Sequence, residues 1–108
     1  MSSDTTAPTA IVNSTASNGS NGFSITIDEE AAVTIGFHNS IKYRGASLTS
    51  SVVGKEATFN IGAPGAVNNN QIYFKLTDIN NNERYYIAEM HSGKWMIFEL
   101  PFFQPDQP

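Results

Sequence analysis

The chain contains no cysteine, so it has no disulfide, no thiolate nucleophile and no cysteine-ligated zinc. A small domain without such staples must hold itself together by packing. Charge is also scarce: 15% of residues are charged, and the six basic ones (Lys42, Arg44, Lys55, Lys75, Arg84 and Lys94) are dispersed. That dispersion leaves no basic face to release phosphate counterions, which argues against nucleic acid as a partner, and no polybasic patch for an anionic membrane. No run approaches the roughly 18 apolar residues of a membrane span, and the opening MSSDTTAPTAIVNSTASNGSNG lacks the basic and apolar regions of a secretory signal. The expectation is a soluble protein, cytoplasmic as synthesised, that acts outside the cell only by leaderless release. Helical periodicity is missing too, since no window carries apolar residues at i, i+3, i+4 and i+7 over a helix length.

What is present points to an all-β domain. The 108 residues, 40% of them hydrophobic and 11% aromatic, suffice for one core and leave no room for a second. Residues 1–22 are rich in Ser, Thr, Asn and Gly and read as a flexible N-terminal arm without core, carrying at most one short strand at Ala10 to Asn13. From Phe23 on, short β-type runs alternate with turn residues every 8 to 12 positions, the signature of a sandwich or barrel. Strands are predicted at Phe23–Ile27, Ala31–Phe37, Ala46–Val53, Ala57–Ile61, Gln71–Thr77, Arg84–Met90 and Lys94–Leu100. They make residues 23–101 a small antiparallel β-sandwich of six to eight short strands. Ile72, Phe74 and Leu76 share one face of their strand, the buried one. KWMIFEL is apolar on nearly both faces and is expected to lie centrally in its sheet. His91-Ser92-Gly93 reads as a three-residue hairpin turn, and Gly62–Asn70 and Asp78–Glu83 as the longest loops. Pro101, Pro105 and Pro108 stop strand pairing and release a 102–108 tail.

Catalytic constellations are missing. Only His38 and His91 could serve as a base for a serine nucleophile, and no serine sits in a G-x-S-x-G elbow. Asp28, Glu29 and Glu30 crowd what reads as a solvated hairpin turn, not two sides of a cleft. The expectation is therefore a protein that is not an enzyme. Asp78, Asn80 and Asn82, with Glu89 eleven residues after the aspartate, echo the oxygen spacing of a calcium loop. Glu83 stands where that loop needs glycine, and a polar hairpin loop explains the asparagines without metal. GAPGA lacks the following lysine and helix of a phosphate cradle and reads as a turn. Trp95 and Phe98 are expected in the core, whereas adjacent Tyr85 and Tyr86 must face opposite ways, so one of them is offered to solvent.

The stretch VTIGFHNSIKY is the most informative. Its apolar alternation stops at Gly36-Phe37 and gives way to His38, Asn39 and Ser40. An imidazole, an amide and a hydroxyl offer donors and acceptors without net charge, the equipment for a neutral polyhydroxylated ligand such as a sugar. The alternative is an ordinary strand-end turn in which His38 covers an edge.

The segment EEAAVTIGFHNSIKY resembles the region around the His-Asn pair of the fungal fruit-body lectins, a cysteine-poor β-sandwich family related in fold to actinoporins. Thr34, Gly36, His38 and Asn39 fit that family's strand, NGSNGFSITI is similar to its Gly/Ser-rich loop, and GKWMIFEL to its late core strand. The resemblance covers Asn18 to Tyr43. It implies His38 and Asn39 as sugar contacts, Ser20 and Gly22 at contacting positions, and Arg84 and Tyr85 in the places of the family's arginine and tyrosine. It also implies non-catalytic, hemagglutinin-like binding of galactose-type or N-acetylated sugars on glycoproteins by a homo-oligomer, at least a dimer. Two other classes stay open: a membrane-active, pore-forming protein of actinoporin or aegerolysin type whose tail LPFFQPDQP touches lipid, and a structural or adhesion module without a small ligand.

Overall fold

The structure, a computed structural model, describes residues 5–13, 22–38, 47–62, 71–91 and 94–105. Among them are eight strands: β1 (Ala10–Val12), β2 (Gly22–Ile27), β3 (Ala32–His38), β4 (Ser47–Val53), β5 (Glu56–Gly62), β6 (Gln71–Thr77), β7 (Glu83–His91) and β8 (Lys94–Leu100). They form two four-stranded antiparallel sheets, β1-β2-β5-β4 and β3-β6-β7-β8, which stack as a small β-sandwich. Among the described residues no helix is long and apolar enough to cross a membrane.

Strict alternation builds the interior. Phe23, Ile25 and Ile27 of β2 and Ala57, Phe59 and Ile61 of β5 face Ile72, Phe74 and Leu76 of β6, and all nine are buried. Aromatic rings join the two layers in a chain. Trp95 of β8 stacks on Phe23 at 4.8 Å between centroids, Phe23 on Phe59 at 4.7 Å, Phe59 tilts against Phe74 at 4.9 Å, and Phe74 stacks on Tyr86 at 5.3 Å. Such pairs add about 0.5–1.5 kcal/mol each beyond the area they bury.

Four expectations about placement are corrected here. β8 is an edge strand, not a central one. Its second apolar face, with Met96 and Phe98 both more than 40% exposed, belongs to the outer surface of its sheet, so Phe98 is not a core residue. The acidic turn at Asp28–Glu30 is not a hairpin: β2 and β3 belong to different sheets, so this segment crosses between layers. His91 pairs with Lys94, which shortens the β7–β8 connection to Ser92 and Gly93, both outside the described residues.

Both terminal segments are built into the sandwich. β1 pairs with β2, and Pro8 is fully buried, so residues before Phe23 do contribute core. Asn13 fastens this strand: its amide donates to Ser24 Oγ at 3.0 Å and Glu56 Oε2 at 3.2 Å while its oxygen accepts from Thr26. From the opposite sheet the Tyr86 hydroxyl accepts the Ala10 N–H at 3.0 Å, and Arg84 donates to Pro8 O at 2.9 Å, Ala7 O at 3.2 Å and Glu99 at 2.6 Å. Beyond Pro101 the tail is not released either. It returns over the outer face of the second sheet, where Gln104 O accepts the Phe37 N–H at 2.9 Å and the Phe103 ring lies 5.1 Å below the Lys75 ammonium.

Phe59→Ala, which breaks the ring chain at its middle, is expected to cost about 3–5 kcal/mol in urea unfolding. Phe98→Ala is expected to cost about 1 kcal/mol or less. Equal losses would contradict the assignment of the two faces. Tyr86 supplies a pH test. Burial is the main cause that raises its hydroxyl pKa above the usual 10.0, against the opposing Ala10 hydrogen bond and Arg84 charge. The unfolded chain ionises nearer the usual value, so this contribution is whole below it and is lost as pH rises through the higher folded value. Stability should therefore decline above that pH, and Tyr86→Phe should flatten part of the decline.

Candidate functional site

The registers sort the strand ends into two poles. Gly22, His38, Gly62, Gln71, His91 and Lys94 lie at one, because Gly22 pairs beside Asn60 at the end of β5, Gln71 pairs with Glu89, His91 pairs with Lys94, and neighbouring Trp95 stacks across the sandwich on Phe23. The strand ends that flank residues 14–21, 39–46, 63–70 and 92–93 all open onto this pole. The other pole holds Asp28, Gly54-Lys55 and the loop Asp78–Asn82.

His38 reaches the first pole through a bulge. Ile35 pairs with Phe74, yet His38 pairs with Ile72, so one residue is inserted between them. In the unbroken register His38 would stand opposite Gln71, on the outer face; the extra residue turns it to the side of buried Ile72. Its ring is half-buried, with Nδ1 3.3 Å from Gly36 O. A carbonyl can only accept, so Nδ1 is the donor in that contact, and Nε2 has no partner among the described residues.

The six expected contact residues separate. His38 and Gly22 come to the same pole, and Ser20 and Asn39 lie outside the described residues. Arg84 and Tyr85 lie towards the opposite pole and on opposite faces of β7. Arg84 shares the inner face with Leu76 and is engaged by the N-terminal carbonyls and Glu99. Tyr85 is outside, donating to Glu83 Oε1 at 3.0 Å beside Phe103; that hydrogen bond, followed by burial, raises its hydroxyl pKa. Of the tyrosine pair, then, Tyr85 is the outward one and Tyr86 the buried one.

Gly22 has a structural reason to be glycine. Its φ is +126°, and a Cβ there would sit 1.9 Å from Phe59 O. Gly36 is similar without the unusual φ: a Cβ would sit 2.2 Å from Gln104 O and within 3 Å of the Phe103 ring, so the returning tail depends on it. Neither constraint could be read in the sequence, because the crowding atoms lie 37 and 68 positions away.

A polar row that sequence reasoning missed also lies at the first pole. Gln71 Nε2 donates to Glu89 Oε2 at 2.8 Å, Glu89 Oε1 is 2.8 Å from His91 Nε2, and the His91 ring stands edge-on to Phe98. The alternation of β7 carried a faint signal for it, since Glu89 and His91 share a face two residues apart.

The calcium-like spacing dissolves. Asp78 is buried and caps its own loop, accepting the N–H groups of Asn80 and Asn82 at 2.9 Å each on one oxygen and the Asn82 amide at 3.0 Å on the other. Asn81 supplies the left-handed residue, with φ 68°. Glu89 sits at the far end of β7, about 20 Å away along a strand. No three His, Asp or Glu side chains among the described residues converge on a metal site. A shallow depression beside this loop is lined by Glu30, Thr77 and Asp78 together with Ala32, Val52 and Ile79. Compared with known proteins, the chain matches no family model, no curated protein and no solved structure.

Gly22→Ala is expected to destabilise the protein by at least about 1–3 kcal/mol in urea unfolding, from strain at the positive φ with the Phe59 carbonyl clash added. Unchanged stability would contradict its assignment as a packing residue and return it to the ligand-contacting candidates.

Proposed function

We propose that the protein is a non-catalytic carbohydrate-binding module, a lectin, whose site lies at the pole that carries His38. The observation that supports this most is the contrast between the poles. At the Asp78 end the two aspartates are consumed within the fold: Asp78 accepts two backbone N–H groups on one oxygen and the Asn82 amide on the other, and Asp28 Oδ1 accepts the Thr9 N–H at 2.9 Å. At the His38 end the imidazole has one nitrogen without a partner among the described residues, and the strands ending there lead in sequence into the stretches richest in Asn, Ser, Thr and Gly.

An imidazole combined with amides and hydroxyls suits sugar hydroxyl or acetamido groups, which need several fixed hydrogen-bonding partners. In this reading His38 Nε2 accepts from a sugar hydroxyl, Asn39 and Ser20 supply further donors and acceptors, and Gly22 shapes the rim. Arg84 acts on the fold rather than on the ligand. The resemblance of the Thr34–Asn39 segment to the lectin strand supports the same choice, with galactose-type or N-acetylated sugars as the first candidates. The membrane-active alternative, which rests on the tail, is the weaker reading, because Phe103 is packed against the sheet and of the two tail phenylalanines Phe102 alone is exposed, at 48%.

A glycan array probed with the wild-type protein and a His38→Ala/Asn39→Ala double variant tests the proposal. Selective binding is expected for wild type and its loss in the variant, with unfolding free energy changed by no more than about 0.5 kcal/mol per site. A silent array from folded protein, or binding that survives the double substitution, would overturn it.

A further inference from the structure

The two sheets have four edges, and they are not equally protected. Natural edges are blunted by shortness, bulges, charges, prolines or cover. β1 has three residues. β3 is bulged, and its Phe37 N–H is taken by Gln104 O. β4 is as long and as regular as β8, and Val53 at the end of its outer face is 79% exposed, but Thr49 and Ser51 occupy the middle of that face and offer no apolar pair to cover. β8 has seven residues in unbroken register with β7, no proline within it and no bulge. Its two charges are Lys94 at its first position and Glu99, which is paired with Arg84 at 2.6 Å. Met96 and Phe98 project from its outer side, 44% and 43% exposed.

We propose that β8 pairs antiparallel with β8 of a second copy, joining the two β3-β6-β7-β8 sheets into one eight-stranded sheet. The strand KWMIFEL is self-complementary about its central Ile97. In that register Met96 stands opposite Phe98 of the second copy and Phe98 opposite its Met96, so both half-exposed apolar side chains are covered by a sulfur–aromatic contact. Lys94 meets Leu100, and Glu99 meets Trp95, so no like charges oppose each other. The same step pairs backbone N–H and C=O groups along the side of β8 that faces away from β7. A single strand pair with two side-chain rows buries less than the roughly 800 Å² per partner of a standard interface, so association should be reversible and concentration-dependent.

The two-fold axis runs along the sheet normal and turns the His38 poles in opposite directions. The proposed glycan sites would then be presented back to back, the geometry that crosslinks two surfaces and raises avidity. The pairing itself stands on β8 alone and does not depend on the glycan reading.

Sedimentation velocity over a concentration series tests it with wild type, Phe98→Lys, Met96→Lys and, on the β4 edge, Thr49→Lys. Wild type and Thr49→Lys are expected to rise from the 11.7 kDa monomer towards twice that mass. Both β8 variants are expected to stay monomeric with unchanged unfolding midpoints. If Phe98→Lys fails to fold, Met96→Lys decides. A wild type that stays monomeric throughout would overturn the proposal, as would β8 variants that associate like wild type, or a dimer lost only on Thr49→Lys. A dimer that binds no glycan would sink the lectin reading and leave the interface standing.

Discussion

The sandwich depends on one chain of aromatic contacts, Trp95–Phe23–Phe59–Phe74–Tyr86, which passes from the second sheet to the first and back. Without cysteine, two four-stranded sheets have only packing to set their spacing, and flat rings in contact allow little sliding. The rest follows from that clamp. It brings the ends of β2, β3, β5, β6, β7 and β8 to a common pole. At its far end it places the Tyr86 hydroxyl where the N-terminal strand can be received.

The terminal segments complete what the rings begin. The N-terminal strand extends the first sheet at its edge, and Tyr86 and Arg84 of the opposite sheet bond to it and to the residues before it. The C-terminal tail crosses the outer face and holds β3 at its bulge. These contacts consume polar groups at the Asp78 end and on the outer sheet, and the bulge they support turns His38 inward. Architecture and candidate site are thus linked through Gly36: the residue that admits the tail is also the backbone acceptor that orients the imidazole.

Much of the fold was legible in the sequence, because period-two alternation and turn residues are local signals. Seven strands were expected within a residue of where they occur, and the eighth at Ala10 was anticipated as a short strand. What could not be read depended on distant partners. β8 looked central because it is apolar on both faces, yet its outer face belongs to a surface shared with the returning tail. The resemblance put Arg84 in a ligand-contacting place, while its carbonyl acceptors lie 76 and 77 positions earlier in the chain. The one-residue insertion before His38 left no local mark, and it reverses the face that alternation alone would assign. The candidate site was visible as a polar strand end, and its inward orientation was not.

The most direct test of the account is an amide-resolved NMR titration of the protein with glycans bearing terminal galactose or N-acetylated sugars. Recognition at the His38 pole predicts saturable shifts at Gly22, His38 and Gln71 and at the chain segments adjoining them, with the Asp78–Asn82 loop silent. Shifts centred on that loop or along the outer face of β8, or no shift with any of these glycans, would contradict it.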